Sequence, residues 1–265
     1  MSERGSRASL SDLVALTRAV SPHLDRCLVT HVAREPIDVD RARRQHEAYE
    51  RLLEDLGAEV VRVPAAPDLP DSVFVEDCAV VVDEVAVIAR PGARSRVAEI
   101  DGVAECLTRY RQCVWIEEPG TLDGGDVVIV GRVVYVGRSS RTNDSGMDQL
   151  HAAVAPYGYT VIPVEFGGAL HLKSVCTALD SETVFLDPRR VDVTQFRDLE
   201  YLAVPGDEWP AANTLRVHGT IVLAAGFPRA ASLLSSTGRD VRTVDISEFR
   251  KAEGAVSCKC VLLRR

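Results

Sequence analysis

The stretch Leu122-Asp123-Gly124-Gly125-Asp126-Val127-Val128-Ile129-Val130-Gly131-Arg132-Val133-Val134-Tyr135-Val136 sets the pattern of the chain. Two β-branched runs flank the pair Gly131-Arg132, which reads as a tight hairpin. Asn143 or Asp144 then caps a helix to about Val154, and Thr160–Pro163 reads as a strand. The unit is therefore hairpin, helix, strand. Upstream it recurs as Ala79–Val82, an Asp83-Glu84 turn and Val85–Ala89, then a helix from Ser95 to about Tyr110 and the strand Cys113–Ile116. Downstream it returns as Ser174–Leu179 with Thr183–Leu186, a short helix near Val193–Leu199, and Tyr201–Val204. A further pass is Thr214–Val217, His218-Gly219, Thr220–Ala224, a helix Pro228–Ser235 and Val241–Asp245.

The residue leading into each hairpin gives the period. Asp77 to Asp123 is 46 residues, Asp123 to His171 is 48, His171 to Asn213 is 42 and Asn213 to Cys258 is 45. Periods of about 20–50 residues signal a repeat architecture. Four units are complete and a fifth is split. Its helix, from Asp38 or Asp40 to Leu56, and its strand, Glu59–Val63, lack a hairpin before them. The segments Val29–Val32 and Val261–Leu263 are expected to supply that hairpin from the two chain ends, closing a ring and removing its open edges. Cys258 then takes the position held by Asp77, Asp123, His171 and Asn213 in the other units, and the five converge on one axial cavity.

The 265 residues are 46 % hydrophobic and 26 % charged, enough to bury a sizeable core. Residues 1–12 read as a mobile tail and 13–265 as one catalytic domain. The net charge of −8 argues against general affinity for nucleic acid or anionic membrane, and suits a cationic ligand. Seven scattered cysteines read as free thiols of a reducing, cytoplasmic protein. Met1 to Leu10 has no apolar signal-peptide core, and no run of about 18 apolar residues predicts a membrane helix. There is no phosphate-binding glycine loop, G-x-S-x-G or H-E-x-x-H motif, so nucleotide, serine-hydrolase and zincin chemistry lose support.

Cys27, Cys78, Cys106, Cys113 and Cys176 read as small core residues, and His23, His31, His46, His151 and His218 as structural. Cys258 and His171 differ because they share the repeat position. Cys258 and Cys260 are expected to face opposite sides, with Cys258 in the cavity. Cys258-Lys259-Cys260 with His171 lacks the spacing and fourth ligand of a structural zinc site, so no metal is expected. Glu76-Asp77 and Asp123 with Asp126 precede strongly apolar strands, and acids buried there need a cationic partner. Gly124 and Gly125 permit a tight turn between them. Arg96 and Arg141 each follow a hairpin at the start of a helix, and their forked guanidinium groups suit a carboxylate.

Six segments taken together are specific: Phe74-Val-Glu-Asp77, Arg90-Pro-Gly-Ala-Arg-Ser-Arg96, Thr121-Leu-Asp-Gly-Gly-Asp126, Ser140-Arg-Thr-Asn143, Leu170-His-Leu-Lys-Ser174 and Ser257-Cys258. In order and spacing they resemble the dimethylarginine dimethylaminohydrolases, from about residue 25 onward. The resemblance implies a five-bladed α/β propeller of ββαβ units, and hydrolysis of Nω-methylated arginines to citrulline and an alkylamine without cofactor or metal. It implies Cys258 as nucleophile, His171 as general acid and base, and Asp123 as the acid beside His171. Glu76 and Asp77 would hold the guanidinium; Asp71, Arg96 and Arg141 would hold the amino-acid end. Lys259 follows the nucleophile where the family can have a second cysteine. The alternatives are an arginine or agmatine deiminase or amidinotransferase on the same fold, and a non-catalytic arginine-binding protein. The implied partner is a small molecule; the oligomeric state is left open.

Overall fold

The computed structural model describes residues 12–265. The expected tail, 1–12, lies outside them except for its last residue. Fifteen strands form five three-stranded sheets. In the first, β1 (Leu13–Thr17) lies between β2 (Glu59–Arg62) and β15 (Val261–Arg264). The others are β3 (Ala79–Val81), β4 (Val85–Ile88) and β5 (Gln112–Trp115); β6 (Val127–Val130), β7 (Val133–Gly137) and β8 (Thr160–Val164); β9 (Cys176–Ala178), β10 (Thr183–Leu186) and β11 (Glu200–Ala203); and β12 (Thr214–Val217), β13 (Thr220–Ala224) and β14 (Asp240–Val244). Every sheet repeats one rule. The middle strand is antiparallel to one neighbour and parallel to the other. The parallel partner needs a crossover. The helices α1 (Val39–Asp55), α2 (Ile100–Leu107), α3 (Asp144–Val154) and α4 (Pro228–Ser236) supply it in four units, and a 3₁₀ turn at Val193–Gln195 in the remaining one. A last short helix, α5 (Ser247–Arg250), precedes the final strand.

This is a propeller-like α/β fold of five pseudo-repeated ββαβ units, the first completed by N- and C-terminal strands. Residues of β3, β6, β9, β12 and β15 all line one axial cavity of about 370 Å³. The apolar core is divided into wedges between units: Val14, Leu16, Ala86, Ile88, Val261 and Leu263 join the split unit to the next. Another wedge joins Val85, Val87, Val127 and Val134.

The N-terminal strand is not where the sequence pattern put it. Val29–Val32 is a loop with Thr30, His31 and Val32 exposed, and the strand is Leu13–Thr17. The physical reason is coverage. A strand paired on both edges and packed on both faces needs a continuous apolar run, which Leu13-Val14-Ala15-Leu16 supplies and Val29-Thr30-His31-Val32 does not. The backbone N–H groups of Thr30, His31 and Val32 are taken instead by the Glu253 carboxylate. The second helix is also shorter than expected. Arg94–Glu99 winds as a 3₁₀ turn before α2 begins. Asp38 caps α1 and Asn143 caps α3 through their side chains, as their residue types favour.

Because β1 pairs Leu16 with Val261 and Val14 with Leu263, removal of residues 261–265 exposes a long apolar edge. The truncated chain is expected to aggregate or to lose cooperative unfolding. Size-exclusion chromatography and thermal melting check this; an unchanged monomeric profile and melting point would contradict the closure.

Candidate active site

A 3₁₀ turn leads into the axis-lining strand of every unit, and these turns carry the polar residues. Val75–Cys78 precedes β3, Gly124–Asp126 precedes β6, Leu172–Ser174 precedes β9, Trp209–Ala212 precedes β12 and Ser257–Lys259 precedes β15. Such a turn ends a strand's worth of pairing and leaves donors and acceptors that must be met from neighbouring units.

One pocket beside these turns is lined by Cys258, His171, Asp77, Asp71, Arg96 and Arg141. His171 Nε2 lies 3.0 Å from Asp123 Oδ2, with Asp123 fully buried behind it. Nδ1 lies 3.9 Å from Asp77 Oδ1. Burial opposes a charge on this imidazole, but Asp77, Asp126 and Asp123 outweigh it and raise its pKa to about 9. Asp77 is held below the ordinary carboxylate range: burial alone would raise it, and His171, Arg96 and the Gly125 N–H reverse that. Cys258 is pushed up to about 12, first by burial, then by Glu76 and Asp77. Its sulfur accepts from the Ala255 N–H at 3.4 Å.

The two expected substrate arginines have different surroundings. Arg96 donates to Asp77 at 2.6 Å, to Glu99 at 3.0 and 2.8 Å and to the Phe74 carbonyl at 3.2 Å. Arg141 reaches Asp123 Oδ2 at 3.4 Å. Asp71 accepts the Leu28 N–H through both oxygens, at 3.1 and 3.2 Å, and so ties the loop after Cys27 to the pocket.

Glu76 is not among the residues lining this pocket. It faces the axial cavity, where Lys173 Nζ donates to Oε1 at 2.7 Å and Ser257 Oγ to Oε2 at 2.7 Å. The repeat predicted five convergent residues; the fold divides them. Asp77, His171 and Cys258 line the pocket, with Asp123 behind His171. Asn213 pairs with the Ser257 backbone and hydroxyl at 3.1 and 2.9 Å, and so supports the turn that carries Cys258.

The separation of the two thiols also has a different cause from the one expected. Two residues apart on a strand would share a face. Cys258 instead lies in a 3₁₀ turn, and Cys260 sits beyond it, buried against Tyr49 Oη at 3.1 Å. The two glycines are explained by close approach. A Cβ on Gly124 would lie 2.0 Å from the Glu76 carbonyl, and one on Gly125 2.6 Å from His171 Nδ1 and 2.7 Å from Asp77 Oδ1.

Sequence reasoning singled out Asp126 as a buried acid without its partner, and missed two further supports. Asp126 accepts the Leu172 N–H at 3.0 Å and thereby fixes the His171 turn. Glu99 anchors Arg96. Glu253 binds the loop at 30–32. An acid at fixed distance from an apolar strand was the available signal for Asp126, the i,i+3 spacing from Arg96 was the signal for Glu99, and Glu253 had none. Asp77, Asp123 and His171 also offer atoms within 4.8 Å of one another, a spacing open to a metal. The guanidinium groups already on both acids, Arg96 and Arg141, disfavour a cation there.

A cysteine, an acid-backed imidazole and a buried carboxylate thus stand together at the turns of a five-unit α/β propeller. The family model for N,N-dimethylarginine dimethylhydrolase of eukaryotic type matches residues 30–196. The N(G),N(G)-dimethylarginine dimethylaminohydrolase of Streptomyces coelicolor is 45 % identical over 252 residues, 94 % of this chain and 96 % of that one. The Pseudomonas aeruginosa structure, a cysteine-to-serine mutant complexed with citrulline, superposes with a TM-score of 0.89 at 31 % identity, covering 94 % of this chain and 98 % of the other. A histidine-to-glycine variant solved as an adduct with S-methyl-L-thiocitrulline gives 0.90 at 32 % identity, with coverage of 94 % and 98 %. The chain belongs to the dimethylarginine dimethylaminohydrolase family.

Gly125→Ala should misplace His171 and Asp77 while leaving most of the fold intact. A displacement of about 1 Å at a reacting group costs on the order of 10²-fold in kcat. Steady-state assay beside a melting curve checks this; near-normal kcat would show that the close approach is not needed.

Proposed function

We propose that the chain hydrolyses Nω-methylated arginines to citrulline and methylamine or dimethylamine, through a covalent intermediate on Cys258. Residues 13–265 would act as one catalytic domain. The observation that supports this most is the Cys258 pocket, in which His171 is backed by Asp123 and the Asp77 carboxylate, shared by Arg96 and the Gly125 N–H, supplies negative charge at the wall. The dimethylaminohydrolase relatives point the same way, and the citrulline bound to the Pseudomonas enzyme is the product such a reaction would leave.

The chemistry follows from the charges. At neutral pH His171 holds its proton and Cys258 is a thiol. A guanidinium arriving against Asp77 brings a positive charge to the sulfur and favours loss of its proton. The thiolate attacks the guanidinium carbon, and the C–N bond to the alkylamine breaks as His171 delivers its proton to that nitrogen. Neutral His171 then takes a proton from water. The hydroxide adds to the amidino-thioether carbon, the C–S bond breaks, and the urea group of citrulline remains. Asp123 keeps the ring oriented throughout. Asp71 and Arg141 would hold the amino-acid end. Arg141, which meets Asp123 at 3.4 Å, suits the substrate carboxylate better than Arg96, whose guanidinium is occupied by Asp77, Glu99 and Phe74. Phe74, buried against Phe249 and lining the pocket, supplies apolar surface.

The test is a substrate panel read out as citrulline or carbamoylputrescine. Monomethylarginine and asymmetric dimethylarginine should turn over; arginine, agmatine and symmetric dimethylarginine should be poor. Cys258→Ser should abolish turnover and Cys260→Ser should keep most of it. The highest kcat/KM on arginine or agmatine would make the chain a deiminase instead. A second prediction concerns pH. The thiol of the free enzyme should react with neutral iodoacetamide at a rate still climbing above pH 9. A cationic haloacetamidine should level off at lower pH, because its own charge lowers the thiol's pKa. Identical midpoints for the two reagents would sink this account of activation.

A further inference from the structure

Lys259 follows the nucleophile directly and is fully buried. Its Nζ sits 4.4 Å from the Tyr49 ring centroid and 5.2 Å from that of Phe249, and donates to the Ala255 carbonyl at 2.7 Å. Aromatic faces stabilise a desolvated ammonium, yet the site holds no neutralising carboxylate: among the described residues no acid lies within ion-pair distance of Nζ. A buried ammonium without a counterion is costly, and burial lowers its pKa to about 8. The groups whose negative charge would favour it are Cys258, Cys260 and Glu76. Cys260 is turned toward Tyr49, and Glu76 is already shared by Lys173 and Ser257. The anion left to balance Lys259 is the Cys258 thiolate.

We propose that Lys259 is a positioning residue for the nucleophile: its buried charge steadies the Cys258 thiolate, and its bond to Ala255 holds the residue whose N–H meets the sulfur. The inference rests on Cys258 being the nucleophile. The other groups around the sulfur set the need for it. Glu76 and Asp77, from the turn before β3, both oppose a thiolate, whereas the Ala255 N–H and Lys259 favour it. His171, Arg96 and Arg141 line the same pocket from three other units or turns.

The test is the rate of Cys258 alkylation by iodoacetamide against pH, followed by mass spectrometry of the Cys258 peptide, in the full-length protein, Lys259→Met and Lys259→Gln. Both variants should react about tenfold more slowly at pH 7, the change in thiolate fraction for one unit of thiol pKa. The gap should close as pH rises well past 8, because the wild-type ammonium then loses its own proton. That convergence is the mark of charge; a role in shape alone would slow the reaction equally at all pH. Superimposable profiles, or a constant gap, in a folded variant would overturn the proposal. Loss of the fold in both variants would assign Lys259 to the structure and overturn it too. Turnover by Cys258→Ser separates the two levels: an active serine variant would sink the nucleophile itself, whereas an inert one beside unshifted Lys259 profiles would sink only the present inference.

Discussion

The antiparallel pairing of Leu13–Leu16 with Val261–Arg264 is the constraint on which the rest of the molecule depends. It completes the split sheet, so each unit has a neighbour to pack its wedge of core against. It also fixes where the chain emerges from the turn at Ser257–Lys259. Cys258 therefore reaches its pocket through strand pairing between segments nearly 250 residues apart. Closing so long a loop costs entropy that grows only with the logarithm of its length, and the buried Val14, Leu16, Val261 and Leu263 offset it.

Once the turns converge, the dominant problem is charge. Asp71, Asp77, Glu99, Asp123 and Asp126 are all buried, with Arg96, Arg141 and His171 among them. Burial raises Asp71, Asp126 and Glu99, the last to about 7. Asp77 escapes because Arg96, His171 and the Gly125 N–H all favour its ionised form. The same arrangement raises His171. One carboxylate thus does two things: it stays ionised in a buried pocket and it holds the proton on His171. Neither could be changed without moving the other.

The repeat was legible because strand alternation and turn residues recur with a period, and each ββαβ unit announces itself locally. The N-terminal strand was not. The sequence pattern points to Val29–Val32 and passes over the apolar run at Leu13–Leu16; that run decides only once the strand is known to be paired on both edges, which is a tertiary fact. The pocket residues Cys258, His171, Asp77 and Asp123 were legible through spacing and resemblance together. Spacing alone assigned one site to all five repeat positions, and so placed Asn213 in the pocket rather than behind the Ser257 turn. Glu253 was invisible because its partner, the loop at 30–32, is met only after folding, whereas Glu99 stands three residues from Arg96, a local spacing that was open to reading and was not used.

The division of Glu76 from Asp77 shows why a motif reads more simply than it works. The two acids are adjacent on a tight 3₁₀ turn, so their side chains leave the backbone in different directions. Asp77 turns to the pocket and Glu76 to the axis. There Glu76 takes Lys173 from the turn of one unit and Ser257 from the turn that bears the nucleophile. Its two oxygens therefore fasten three units together beneath the pocket. A neutral residue of the same size would leave the Lys173 ammonium, itself mostly buried, without its carboxylate, and truncating one member of such a pair costs more than the pair contributes. The acid pair is thus one pocket group and one fastening group, and the second ties together the turns of the units that carry Asp77, Lys173 and Cys258.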